Sequence, residues 1–176
     1  MRGKIPYGMG FWPAFWLYGD EGNEIDIFEF GCQRPNILYT NVHKNGSDSS
    51  NGFMGSDFSN TFHIYTVEWN PSKIIFKVDG SEIRNMSWNP LIPDNPLNII
   101  LNLAIGNNDT PFTRSPNSST ILPNQFEIDW IKAYQKNPQN GFYDLCGERE
   151  ILGSNIICGG NQATYTFNGN FLNLRW

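Results

Sequence analysis

Between Glu24 and Phe30 the chain reads Glu-Ile-Asp-Ile-Phe-Glu-Phe, three carboxylates inside an otherwise apolar, strand-like run. Large apolar residues at 25, 27, 28 and 30 require cover on at least one side. An unpaired carboxylate in such a setting is costly, so three of them need either water or a chemical purpose. In a regular strand, residues two apart share a face. Glu24 and Asp26 then point one way and Glu29 the other. One extra residue at Ile27-Phe28, a β-bulge, swings Glu29 to the side of the other two. Three carboxylates on one face hold their protons unequally, which gives one ionised nucleophile and one protonated acid. Retaining glycosidases use such a pair, about 5–5.5 Å apart. The plainer alternative is a solvent-facing strand whose acids are simply hydrated.

The flanking segments read as strands too. In residues 11–18, Trp12, Ala14, Trp16 and Tyr18 share one face, and Phe11, Pro13, Phe15 and Leu17 the other. A polar turn at Asp20–Asn23 then predicts a hairpin that sets the Trp face beside the carboxylate face. Two Trp on one face form a floor for sugar rings or pack against a second sheet. Residues 37–43 alternate again, with Tyr39, Asn41 and His43 together. Asn45–Asn60, rich in Gly, Ser, Asn and Asp, reads as a loop. Strands are expected at 62–69 and 73–78, and Asp79-Gly80 predicts a hairpin back through Ser81 to Arg84. In 97–105, Ile99, Leu101, Leu103 and Ile105 make an apolar face, and Asn98, Ile100, Asn102 and Ala104 the other. Asn102 in mid-strand needs a partner, and a sugar hydroxyl or a catalytic carboxylate would serve. A last strand is expected over 126–135.

A chain of 176 residues with 39% apolar content holds a real core, and 15% aromatic residues with abundant Gly and Pro suit an all-β protein. The net charge of −5 comes with no Lys/Arg cluster, which argues against nucleic acid. No apolar run is long enough for a membrane span. Three cysteines are too few for a disulfide framework; Cys146 and Cys158 could pair and leave Cys32 free. Pro138 and Gly141 mark a linker, and strand-like alternation resumes in 156–167.

The run at 24–30, preceded by Gly8 to Gly19, resembles glycoside hydrolase family 16. The extra residue between the second and third acid is similar to its laminarinase-like members, which act on β-1,3-glucans. Thr40 to Gly46, Phe62 to Gly80, Leu97 to Asn107 and Phe126 to Gln135 match further motifs in the family's order. The resemblance implies a concanavalin-like jelly-roll β-sandwich of two antiparallel sheets, lacking its N-terminal strands. It implies a partial catalytic domain over 1–136, and a linker with the start of a truncated Ig-like module over 137–176. It implies a retaining endo-glycosidase acting on β-1,3-glucan, with an agarase-like galactan hydrolase or a non-catalytic carbohydrate-binding sandwich as alternatives.

Residue by residue, the resemblance makes Glu24 the nucleophile, Glu29 the acid/base and Asp26 the group that holds Glu24. Trp12, Trp16, Asn41, His43 and Asn102 become substrate-binding residues. Ala104, where lichenase-like relatives often carry Trp, favours the laminarinase-like side. Asn107–Thr110 lacks the Trp that many of those relatives place after this strand, so one stacking platform is expected to be missing. No metal or cofactor is expected for the chemistry. A structural calcium near Asp129 is expected only in an intact domain. The expected partner is a polysaccharide met outside the cell or at its surface by a monomer, with no nucleic acid and no membrane.

Overall fold

The computed structural model describes residues 1–137, 141–144 and three two-residue strand pieces, Ile151–Leu152, Thr166–Phe167 and Asn173–Leu174. Apart from these pieces, the tail read as a linker and Ig-like module lies outside the described residues, as do Cys146 and Cys158. Ten strands build the body: β1 (Arg2–Lys4), β2 (Phe11–Gly19), β3 (Glu24–Glu29), β4 (Ile37–Lys44), β5 (Ser47–Met54), β6 (His63–Asn70), β7 (Lys73–Val78), β8 (Ser81–Ser87), β9 (Leu97–Ile105) and β10 (Glu127–Trp130). They form two antiparallel sheets, in the orders β10-β1-β6-β7-β8 and β9-β2-β3-β4-β5, with Asn173–Leu174 paired to the start of β9. This is the all-β, two-sheet jelly roll that the sequence predicts.

Period-two alternation decides which side of each strand meets the other sheet. From the second sheet come Phe15 and Leu17, Ile25 and Phe28, Leu38 and Val42, and Leu101, all buried. Tyr65, Ile74, Phe76, Val78 and Met86 meet them from the first. Aromatic rings dominate the middle: Phe28 lies 4.5 Å from Tyr65, 5.3 Å from Phe30 and 6.1 Å from Phe15 between ring centroids. Cys32 is buried and unbonded, and burial pushes its thiol well above its usual range. Arg84 enters from β8 over the Phe76 ring. Its guanidinium donates to the carbonyl and hydroxyl of Thr40 and of Ser49, tying one sheet to the other.

Two expectations fail. Asn45–Asn60 is not one loop: Asn45 (φ 54°) and Gly46 (φ 74°) make a tight turn that returns the chain as β5, paired with all of β4. That strand is an edge and mostly exposed, so it carries Ser, Asp and Asn with no apolar stripe. The strand expected over 126–135 is broken, since β10 ends at Trp130 and pairing resumes at Tyr134–Asn137. On β10, Asp129 and Glu127 are bonded to Arg2 and Lys4 of the neighbouring β1, each at 2.5 Å. Both acids are thus matched by cations of the neighbouring strand.

Candidate active site

The outward face of the β9-β2-β3-β4-β5 sheet is fixed by its register. Ala14 pairs with Glu29 and Phe15 with Phe28, but the next pair is Trp16 with Asp26, so Ile27 is an extra residue in β3. On the other side Asp26 pairs with Asn41 and Glu29 with Tyr39, which shows the same one-residue excess. The bulge lies where the acid spacing places it. Residues directly opposite in antiparallel strands share a face. Tyr18, Glu24 and His43 therefore lie in one row, Trp16, Asp26 and Asn41 in the next, and Ala14, Glu29 and Tyr39 in the third. Ile25, Phe28 and Phe30, each 0% exposed, hold the strand from behind.

All eight residues singled out in the sequence reach this face. Trp12 donates its indole N–H to Glu29 Oε1 at 3.1 Å, and Trp16 donates to Asn102 Oδ1 at 2.8 Å. Asn102 thus finds its partner in an indole and not in a carboxylate. Asn41 Oδ1 accepts from the Val42 amide, which leaves Asn41 Nδ2 to donate to His43 Nε2 at 2.9 Å. His43 Nε2 is the acceptor of that hydrogen bond. The same Nε2 lies 3.3 Å from Asp26 Oδ2 and 3.8 Å from Glu24 Oε1. The 3.3 Å approach is proximity without a hydrogen bond, since Asp26 Oδ2 is buried and unbonded.

Proton affinities differ along the row of acids. Asp26, 2% exposed, is pushed up to about 9, first by burial and then by the charges of Glu29 and Glu24 and by a hydrogen bond with Glu24. Glu29 is pushed up to about 7, chiefly by burial and further by Glu24, while the bond from Trp12 pulls it down. At neutral pH Asp26 therefore holds a proton it can donate to Glu24, and Glu29 sits near the midpoint between acid and base. Donor atoms of Glu24, Asp26 and His43 lie within 4.8 Å of one another, close enough to share a cation.

Two side chains complete the site that motif reading did not assign. Tyr39 stands opposite Glu29. Phe112, on the loop after β9, lies 5.1 Å from Trp12 and 5.2 Å from Tyr39 between ring centroids. An aromatic residue is thus present after β9, in a different place from the Trp whose absence was noted. Its only sequence signal was an apolar residue in a polar loop.

The chain is similar to known proteins in sequence and in fold. The profile of the glycosyl hydrolases family 16 matches residues 1–132. Glucan endo-1,3-beta-glucosidase A1 of Niallia circulans is 32% identical over 162 residues, which cover 77% of this chain and 24% of that protein. Glucan endo-1,3-beta-glucosidase of Cryptopygus antarcticus is 31% identical, over 78% of this chain and 61% of that one. The laminarinase catalytic domain of Thermotoga maritima MSB8 superposes with a TM-score of 0.64 at 28% identity, covering 71% of this chain and 58% of that structure. The chain spans less than two thirds of the length of each. On that match over residues 1–132, the chain belongs to glycosyl hydrolase family 16.

Proposed function

We propose that the chain carries the catalytic face of a retaining endo-β-glucanase that cleaves internal bonds of β-1,3-glucan. The observation that supports it most is the extra residue at Ile27, which gathers Glu24, Asp26 and Glu29 on one open face. In the first step the Glu24 carboxylate bonds to the anomeric carbon, the glycosidic C–O bond breaks, and Glu29 gives its proton to the departing oxygen. In the second, Glu29 takes a proton from water, whose oxygen replaces Glu24 at the same carbon. Asp26, protonated, donates to Glu24 and keeps its attacking oxygen oriented.

A neutral polymer suits the face. Its strand positions include Glu24, Asp26, Glu29 and Asp48, with no Lys or Arg in the rows they define among the described residues. Trp12 and Trp16 offer rings, and both indole N–H groups are already bonded within the protein. A polymer substrate fits a protein working outside the cell or at its surface, and the three acids come from one chain, so a monomer suffices.

The test is Glu24→Gln and Glu29→Gln on laminarin, with lichenan, agarose and carrageenan as comparisons. Each substitution should lower kcat at least about a hundredfold while laminarin binding, read by Trp fluorescence, stays. Fresh product should show the β anomer by NMR. Cleavage of agarose in place of laminarin would refute the substrate, and an undiminished rate in Glu24→Gln would refute the mechanism.

A further inference from the structure

Phe112 belongs to a loop for which the reaction above has no use, yet the loop is firmly built. Gln33 Nε2 donates to the Phe112 carbonyl at 2.8 Å. At Gly31 a side chain would come within 2.0 Å of that same oxygen, so this close approach needs glycine. Thr113, 2% exposed, accepts from the Gly10 amide at 2.9 Å. The ring held by these contacts touches Trp12 on β2 and Tyr39 on β4, the strands on either side of β3. Trp12 bonds Glu29, and Tyr39 pairs with it. Phe112 thus closes an aromatic bracket around the one acid that must hold and release a proton.

We propose that Phe112 is a positioning residue: by pressing on Trp12 and Tyr39 it keeps water from Glu29 and so sets the pH at which that carboxyl gives up its proton. The proposal rests on the reading of Glu29 as the acid/base. Burial is the largest influence on Glu29, and Phe112 adds to burial without adding charge. The titratable groups around Glu29 are Asp26 and Glu24 on its own strand and Tyr39 and His43 on β4. Trp12 on β2 and Asn102 on β9 are uncharged. In and beside the Phe112 loop, Asp109, Arg114 and Arg34 are exposed, and Arg114 is bonded to the Asn108 carbonyl. Replacing the ring by a smaller group leaves every charge around Glu29 in place and admits water.

The experiment is Phe112→Ala in the full chain, with Phe112→Leu as the variant that keeps apolar bulk should the alanine loosen the loop. Two readouts are taken: the pH profile of kcat/KM on laminarin, and a 13C NMR titration of the Glu29 carboxyl, assigned with Glu29→Gln. Phe112→Ala should move the alkaline limb and the NMR midpoint together to lower pH by about one unit. Phe112→Leu should move both by less, in the same direction. An unmoved midpoint in both variants overturns the proposal, whether activity falls or not, and so does a rise in KM alone, which would make the ring a sugar contact. Full activity in Glu29→Gln would instead refute the catalytic reading, and the NMR midpoint would still decide what Phe112 does.

Discussion

Glu29→Gln should make the protein more stable while it stops the chemistry. In the folded chain this carboxyl is pushed from its ordinary 4.5 to about 7, mainly by burial. At about 1.4 kcal/mol per pH unit, that separation is worth about 3 kcal/mol. Below pH 4.5 the group is protonated whether folded or unfolded and costs nothing. Between 4.5 and 7 the unfolded chain releases the proton and the folded one keeps it, so stability falls as pH rises. Above 7 the full penalty is present and stays level. Gln has no such penalty, and its Oε1 still accepts from Trp12 Nε1. The variant should therefore match the wild type at pH 4 and exceed it by about 3 kcal/mol at pH 8. Urea unfolding followed by Trp fluorescence at pH 4, 6 and 8 measures this. Asp26 adds its own fall in stability with pH, and because the Glu29 charge is one of the influences that raise it, the variant eases that share too and the difference widens. A difference that is flat with pH, or a less stable variant at pH 8, would show that Glu29 is solvated like a surface acid and that burial does not hold its proton.

Other outcomes follow from single contacts. The Tyr65 hydroxyl is buried in the aromatic core without a hydrogen-bond partner, so Tyr65→Phe should leave stability unchanged or raise it by about 1 kcal/mol in urea or thermal melts; a loss of that size would reveal a partner. Arg84→Met should lower stability by about 2–3 kcal/mol in urea unfolding, because Thr40 and Ser49 lose a charged donor in a partly buried place. Arg84→Lys should restore little, since an ammonium lacks the fork that reaches both residues. Asp26→Ala should cut kcat about a hundredfold, while Asp26→Asn, which keeps a donor for Glu24, should lose less in the same assay.

Legibility tracked whether a feature depends on spacing or on the path of the chain. The bulge was readable because acids at 24, 26 and 29 cannot share a face without it. The Trp face of β2 was readable from alternation that the core enforces on Phe15 and Leu17. β5 was hidden because an exposed edge strand buries nothing on a regular period, and its Ser and Asn residues carry the signature of a loop. Phe112 was hidden for a different reason. Its contact with Trp12 crosses about a hundred residues of chain and depends on Gly31 admitting a backbone oxygen where a side chain would stand. The partner of Asn102 was open because a mid-strand amide demands a partner without saying which. The register then placed Trp16 beside it.

The site survives its own cost because the opposite face of the same strand is so well held. Sliding β3 by one residue to iron out Ile27 would send Phe28 and Phe30, both 0% exposed, toward water and turn Glu29 into the aromatic core. Each lost aromatic is worth about 3–5 kcal/mol by comparison with core truncations, against about 5–15 kcal/mol for a whole domain. Crowding three acids has its own cost, since the raised proton affinities of Glu29 and Asp26 both lower stability as pH rises, by about 3 kcal/mol for Glu29 above pH 7. What holds the bulged register is the aromatic burial it preserves, even though it is the register that brings the carboxylates together. The geometry proposed for catalysis is fixed by packing on the inner side of the sheet, so core substitutions behind β3 should disturb the pH profile before they disturb the fold.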